Sequence, residues 1–115
     1  MTHEKILIVD DTPDNIKLLK AFLSGKGYEF ITAADGEEAL EKAFGDQPDL
    51  ILLDLMLPKK SGIEVLKEIK ARDKSIPVIV LTAYGSEETA VMTMRSGAEN
   101  YLINKPLRKE EVVEA

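Results

Sequence analysis

Five short apolar runs divide the chain, and each is followed by a segment in which apolar residues recur every three or four positions. The runs at residues 6–9 and 50–53 contain no polar residue, which is typical of strands buried on both faces of a parallel sheet. The alternation of strand and helix, five times over, predicts an α/β fold. We expect a doubly wound five-stranded parallel sheet with helices on both faces.

The runs and the turn residues between them set the expected bounds of each element. We predict strands at residues 5–9, 28–33, 49–54, 78–81 and 101–103. Helices are expected from Pro13 to a stop at Gly25 or Gly27, and at residues 37–44, 63–72, 87–96 and 109–115. In the fourth helix we expect Val91 and Met94 to face the core and Met92 to be more exposed.

Composition narrows the class of protein. The 115 residues fit one domain, residues 1–115, whose last helix is barely two turns long and is expected to be truncated, so that further domains can follow. A net charge of −6 argues against direct contact with nucleic acid. No cysteine is present, and no apolar stretch is long enough to span a membrane. We therefore expect a cytoplasmic location.

Polar residues follow four of the five predicted strands at the same edge of the sheet. They are Asp10, Asp11, Asp54, Thr82 and Lys105. Ligands of open parallel sheets bind at this edge, beyond the carboxyl ends of the strands. Carboxylates gathered there repel one another and favour a hard divalent cation, for which Mg²⁺ is the natural choice. The alternative for Asp10 and Asp11 is that they only cap the first helix.

A carboxylate beside Mg²⁺ can also act as a nucleophile on phosphorus and form an aspartyl phosphate. That reaction needs the charge on the transferred phosphoryl oxygens to be neutralised, which a metal ion, an ammonium group and a hydroxyl can do together. Lys105 and Thr82 are of the required types. Each has an ordinary explanation when taken alone, as a surface lysine and as a strand-end hydroxyl. The combination with Asp54 favours the phosphoryl site.

Motifs spread over nearly the whole chain resemble the receiver domain of two-component response regulators. They are Ile8-Val9-Asp10-Asp11, Leu53-Asp54-Leu55-Met56-Leu57-Pro58 with Gly62, Leu81-Thr82-Ala83, Gly97-Ala98 with Tyr101, and Lys105-Pro106. The resemblance implies a flavodoxin-like fold with strand order 2-1-3-4-5. It also implies that Asp54 accepts a phosphoryl group from a phosphohistidine of a sensor histidine kinase or phosphotransfer protein.

The resemblance further implies roles for residues around Asp54. The acids Asp10 and Asp11, together with Asp54 and the Met56 backbone carbonyl, would bind the metal. Thr82 and Lys105 would contact the phosphoryl group, small Ala83 would leave it open to water, and Tyr101 would be the aromatic that follows the switch. One more residue than is usual for the family separates Tyr101 from Lys105. We therefore expect a bulge or an early strand end between Leu102 and Asn104.

The residues are compatible with three functions. The first is a phosphorylatable switch that is not a turnover enzyme and that signals through the surface of the fourth helix, fifth strand and fifth helix, to an output domain or a second copy. The second is a Mg²⁺-dependent phosphatase of the haloacid-dehalogenase type, which would want an acid where Met56 stands. The third is a receiver that works as a scaffold without phosphate.

Overall fold

Five strands and four helices alternate along the computed structural model, which describes residues 4–55, 57, 60–82 and 87–103. The strands are β1 (Lys5–Val9), β2 (Glu29–Ala33), β3 (Leu50–Asp54), β4 (Val78–Thr82) and β5 (Asn100–Ile103). The helices are α1 (Pro13–Leu23), α2 (Gly36–Gly45), α3 (Gly62–Arg72) and α4 (Glu87–Arg95). Every predicted element up to β5 is found, with bounds that differ by one or two residues at some ends. The predicted fifth helix lies outside the described residues.

The strands form one sheet in the order β2-β1-β3-β4-β5, and all neighbouring pairs are parallel. This order is the doubly wound, flavodoxin-like arrangement that the sequence predicts. The central strands β1 and β3 pair directly, with Val9 opposite Leu53. Their carboxyl ends therefore meet in the middle of one edge of the sheet, which is where this class of fold binds ligands.

The apolar runs bury both faces of the sheet because successive side chains point to opposite sides. Leu7 and Val9 face a core shared with α2 and α3, which contribute Ala39 and Leu66 among others. On the other face Ile6, Ile8 and Leu52 pack against three residues of α1, namely Ile16, Leu19 and Leu23. Helices thus cover both faces, as predicted. No helix in the described ranges is long and apolar enough to cross a membrane.

Local hydrogen bonds explain where two of the helices begin. Asp35 precedes α2, and its Oδ1 accepts the Glu38 backbone N–H at 2.9 Å. Glu38 returns the contact, since its Oε1 accepts the Ala34 N–H at 2.6 Å. Ser61 precedes α3 in the same way and accepts from the backbone N–H of Glu64. These side chains satisfy amide groups that have no partner within the helix.

The predicted orientation of α4 is wrong. Val91 and Met94 are 50% and 46% exposed, whereas Thr93 is completely buried. The helix ends in a tight turn in which Gly97 has a φ of 109° and the Ala98 N–H donates to the Thr93 carbonyl. Because Ala98 is itself buried, this turn fixes the rotation of α4 and directs Thr93 inward. The expected exposure of Met92, at 51%, is confirmed.

The strand β5 pairs regularly with β4 from Asn100 to Ile103. The described part of the strand therefore contains no bulge. Asn104 and Lys105 lie outside the described residues, so the structure does not test the predicted bulge or strand end beyond Ile103.

Candidate functional site

Two aspartates end the neighbouring strands at the centre of the sheet. Asp54 is the last residue of β3 and is half buried, and Asp10 directly follows β1 and is 5% exposed. The pairing of Val9 with Leu53 brings the next residue on each strand to the same level. The Asp10 N–H donates to the Ala33 carbonyl at 3.0 Å, so the backbone continues the ladder past the end of β1. The apolar runs thus hold both acids at one edge.

Asp11 completes a cluster of three carboxylates. Each of Asp10, Asp11 and Asp54 offers an oxygen that lies within 4.8 Å of the other two. The cluster runs from buried Asp10 through half-buried Asp54 to exposed Asp11, so it opens to solvent on one side. Carboxylate oxygens at this separation are the donor set of a hard divalent cation. The prediction that these acids meet is confirmed.

Hydrogen bonds fix the Asp10 carboxylate and act on its pKa. Burial raises the pKa of Asp10 above its ordinary value, and the nearby charge of Asp11 adds to this effect. Hydrogen bonds from the Thr12 backbone N–H, at 2.8 Å, and from the Asn15 side chain work in the opposite direction but do not outweigh burial. The Asp10 carboxyl is therefore harder to ionise in the folded protein than in the unfolded chain, chiefly because it is buried.

The capping alternative for the acidic pair is also partly correct. Thr12 occupies the predicted position before α1 but forms no side-chain cap, and its Oγ1 instead lies 3.5 Å from the Asp11 Oδ1. Asp10 accepts the Thr12 N–H in a turn that leads into the helix. Asp10 therefore both starts α1 and contributes an oxygen to the cluster. Capping does not account for the exposed carboxylate of Asp11.

A glycine that the sequence did not single out for its geometry shapes the loop after Asp54. An added Cβ at Gly62 would lie 2.5 Å from the Leu55 Cα and 2.6 Å from the Asp54 carbonyl oxygen. The Gly62 N–H donates to the Leu55 carbonyl at 3.1 Å. The start of α3 therefore rests directly on the end of β3. A glycine as the first residue of a helix, where helix propensity gives no reason for it, is the sequence signal of such a close approach.

A second glycine, Gly36, makes a comparable contact with the same loop. Its added Cβ would lie 2.6 Å from the Lys60 Cβ and 2.7 Å from the Lys60 carbonyl oxygen. The first turn of α2 thus packs on the backbone that leads from Asp54 to α3. The predicted second helix began only at residue 37, whereas in the structure Gly36 is the first residue of α2.

Only some of the remaining predicted site residues lie in the described part of the structure. Thr82 ends β4 opposite Ile103, one residue beyond the pairing of Leu81 with Asp54, but its side chain lies outside the described residues. Tyr101 packs against the core on the α3 side, and its buried hydroxyl has no hydrogen-bond partner in the described part of the chain. Met56, Ala83 and Lys105 all lie outside the described residues.

A family model, the response regulator receiver domain, matches residues 6–115 of the chain. The chain belongs to this family. The acidic cluster of this receiver domain consists of Asp10, Asp11 and Asp54, the three acids that the motif resemblance assigned to metal binding.

Relatives and solved structures agree with the family. The chain is 46% identical over 110 residues to the alkaline phosphatase synthesis transcriptional regulatory protein PhoP of Bacillus subtilis, covering 96% of this chain and 45% of that protein. A CheX–CheY–BeF3–Mg²⁺ complex from Borrelia burgdorferi contains a chain that is 35% identical, with a TM-score of 0.82 and coverage of 96% of this chain and 84% of that one.

A third similar protein is a solved structure that contains a modified aspartic acid. A response regulator from Burkholderia pseudomallei, solved with a phosphorylated aspartic acid, a calcium ion and citrate, is 31% identical with a TM-score of 0.82. The match covers 97% of this chain and 65% of that one. The receiver domain spans less than half the length of the Bacillus relative.

Proposed function

We propose that this receiver domain accepts a phosphoryl group on Asp54 from a phosphohistidine of a sensor kinase or phosphotransfer protein. The observation that carries the proposal is the group of three carboxylates within 4.8 Å at the carboxyl edge of the sheet. Of the three, Asp54 belongs to the central strand β3 and is neither as buried as Asp10 nor as exposed as Asp11. A phosphoryl donor can therefore approach it from the open side of the cluster.

In the proposed transfer an Asp54 carboxylate oxygen forms a bond to phosphorus as the bond from phosphorus to the imidazole nitrogen breaks. The electron pair of that bond stays on the ring nitrogen. The other nitrogen of the phosphohistidine ring carries a proton, so the imidazole leaves as a neutral ring. Asp10 and Asp11 would hold Mg²⁺ together with Asp54, and the Met56 carbonyl is proposed as a further ligand. Bound there, Mg²⁺ would offset the negative charge of the phosphoryl oxygens. Thr82 and Lys105 are proposed to contact the same oxygens.

We further propose that this domain is not a turnover enzyme beyond its own phosphorylation and dephosphorylation. A phosphatase of the haloacid-dehalogenase type would need a proton donor two residues after Asp54, and Met56 cannot transfer a proton. Small Ala83 is proposed to leave the acyl phosphate accessible to water, so that the signal decays.

The proposed readout is a change in the surface formed by α4 and β5. Among the described residues the buried Tyr101 hydroxyl has no hydrogen-bond partner, and we propose that a second conformation of this surface changes its surroundings. Phosphorylation would bias these two arrangements through Thr82, which lies beside Asp54 at the sheet edge. The Bacillus relative is named a transcriptional regulatory protein, and we propose that the partner of this surface is an output domain or a second receiver.

The test is to phosphorylate the protein with acetyl phosphate and Mg²⁺ and to map the modified peptide by mass spectrometry. We expect one phosphoryl group on Asp54, none in Asp54→Asn, and none in the absence of Mg²⁺. Asp49→Asn is the matched control, since Asp49 precedes the same strand and binds the Lys5 N–H through its carboxylate. Labelling of another residue, or full labelling of Asp54→Asn, would contradict the assignment.

A further inference from the structure

A groove outside the acidic cluster runs between α3 and α4. It has a volume of about 790 Å³, and its lining residues are Lys67, Glu88, Val91, Met92, Arg95 and Ser96. We call it the α3–α4 groove. None of these residues belongs to the carboxylate site or to β5. The groove shares α4 with the proposed readout surface, but it opens on the side of α4 that faces Lys67 of α3.

The apolar part of the groove comes from α4. Val91 and Met92 are 50% and 51% exposed, although both are large hydrophobic residues. Each leaves apolar surface in water that a partner can cover. Met92 also has an unbranched, polarisable side chain, which adapts to partners of different shape. The groove therefore has the apolar surface that helix recognition requires.

The charged residues of the α3–α4 groove indicate which kind of partner would bind its apolar surface. Lys67 of α3 and Arg95 of α4 both line the groove, and in the described ranges neither has a hydrogen bond or an ion pair. Their neighbour Lys60, by contrast, is paired with Glu68. Lys67 and Arg95 thus place two positive charges, without a partner among the described residues, beside the apolar surface of the groove. They are complementary to carboxylates of a partner.

The charges also give the groove a direction. Glu88 stands at the start of α4 and Arg95 at its end, seven residues later. Seven residues make about two helical turns, so the two side chains lie on the same side of α4 at about 10 Å along its axis. A partner would therefore carry carboxylates at the end that faces Arg95, and no acid at the end that faces Glu88. Lys67 offers a further positive charge on the wall of the groove formed by α3.

We propose that the α3–α4 groove binds an amphipathic helical segment of another protein, with acidic residues at one end of its apolar face. The apolar face covers Val91 and Met92, and the acidic end pairs with Lys67 and Arg95. A second copy of this chain is the competing occupant, and the experiment below distinguishes it from a helical segment of another protein. The proposal goes beyond the phosphoryl-transfer function and does not depend on it.

The probe is a pair of synthetic helical peptides of about 14 residues, or about 21 Å. Both carry leucines along one face, and they differ only in having glutamates or lysines at one end. Binding to the Asp54→Asn protein is measured by fluorescence anisotropy, so that phosphorylation cannot contribute. We expect the glutamate peptide to bind at least about tenfold more tightly than the lysine peptide.

Variants then locate the site. The double variant Lys67→Glu and Arg95→Glu should reverse the preference between the peptides, and Met92→Asp should weaken binding of the glutamate peptide at least about tenfold. Met94→Asp is the matched control, because Met94 is 46% exposed on the same helix but does not line the groove. The double variant Lys17→Glu and Lys20→Glu on α1 changes the net charge by the same amount as the groove double variant and controls for it. Neither control should change the affinity more than about twofold.

Several outcomes would overturn the proposal. They are equal binding of the two peptides, binding of neither up to about 1 mM, and equal losses in Met92→Asp and Met94→Asp. Self-association of the unliganded protein that Met92→Asp abolishes would replace the proposed partner by a second copy. Circular dichroism of each variant separates loss of binding from loss of folding, and the reversed preference of the charge variant cannot arise from unfolding.

Discussion

The Asp10 carboxyl group combines burial, a helix-starting hydrogen bond and repulsion from its neighbours. Its Oδ1 accepts the Thr12 N–H, and Asp11 and Asp54 place further carboxylate oxygens within 4.8 Å. Asp10→Asn keeps an oxygen for Thr12 but removes the charge. We therefore expect this variant, in the presence of chelator, to raise the free energy of unfolding by about 1–2 kcal/mol, as measured by urea denaturation.

The dependence on pH provides the control for this prediction. Because burial raises the pKa of Asp10 in the folded protein, ionising the group disfavours folding. The penalty is absent below the ordinary aspartate pKa, grows as the pH rises through the folded pKa, and is complete above it. The advantage of Asp10→Asn should therefore be present at neutral pH and vanish in acid. An advantage that is the same at both pH values, or a less stable variant at neutral pH, would rule out charge as the cause.

At the scale of elements, the contact between β3 and α3 determines where Asp54 lies. Gly62→Ala would push a methyl group into the Leu55 Cα and the Asp54 carbonyl oxygen, both of which are backbone atoms that cannot move aside cheaply. We expect a loss of more than about 2 kcal/mol in the free energy of unfolding and weaker binding of Mg²⁺. Urea denaturation and Mg²⁺ titration measure the two effects.

Gly45→Ala is the matched control, because an added Cβ at this residue of α2 meets nothing within 4 Å. Alanine favours helix over glycine by up to about 1 kcal/mol, so this variant should be as stable as the wild type or more so. Mg²⁺ binding should not change. If Gly62→Ala behaves like Gly45→Ala, the close approach of α3 to β3 does not constrain the site.

At the opposite edge of the sheet, Lys70 links α3 to the loops before β4 and β5. Its Nζ donates to the Ile76 carbonyl at 2.6 Å and to the Glu99 Oε1 at 2.8 Å, and Glu99 also accepts the Val78 N–H. Lys70→Met leaves these acceptors without a donor and should cost about 1–3 kcal/mol in urea denaturation. Lys60→Met, which breaks the more exposed pair with Glu68, should cost clearly less than Lys70→Met.

The pH dependence of the stability difference between Lys70→Met and the wild type tests the role of Glu99, which pairs with Lys70. Burial acts to raise the pKa of Glu99, but the hydrogen bonds from Lys70 and Val78 outweigh it and leave the pKa lowered. The contribution of Glu99 to stability is therefore present above the ordinary glutamate pKa and is lost as the pH falls through the lowered folded pKa. The difference between Lys70→Met and the wild type should shrink in acid. A constant difference would mean that packing of the Lys70 stem, and not its charge, carries the effect.

The elements also show how far the sequence alone can lead. The parallel sheet and the meeting of Asp10, Asp11 and Asp54 could be predicted, because uninterrupted apolar runs define buried strands and the acids follow two of them directly. The strand order was implied by the resemblance of the motifs to receiver domains. The face of α4 could not, because the turn at Gly97 and buried Ala98 fix its rotation and favour Thr93 over larger apolar residues. Close backbone approaches such as that of Gly62 depend on tertiary distances, which periodicity does not contain.

At the scale of the whole molecule, the acidic cluster makes folding and cation binding interdependent. The sheet brings three carboxylates within 4.8 Å, at a cost in repulsion that the unfolded chain does not bear. A cation that binds only to the folded cluster offsets the repulsion between the carboxylates and stabilises the entire domain. The strands β1 and β3 carry these acids from the centre of the core, so that the effect of the cation should appear in global unfolding.

The last prediction follows from this linkage. At an Mg²⁺ concentration of about 100 times its Kd, the wild type should gain about 2.7 kcal/mol in the free energy of unfolding. Asp11→Asn removes the exposed member of the cluster and should lose most of this gain, whereas Asp14→Asn, in the first turn of α1 but outside the cluster, should keep it. Urea denaturation of all three proteins with Mg²⁺ and with chelator measures the difference. Equal stabilisation of Asp11→Asn and the wild type would mean that Asp11 serves the start of α1 and not the metal.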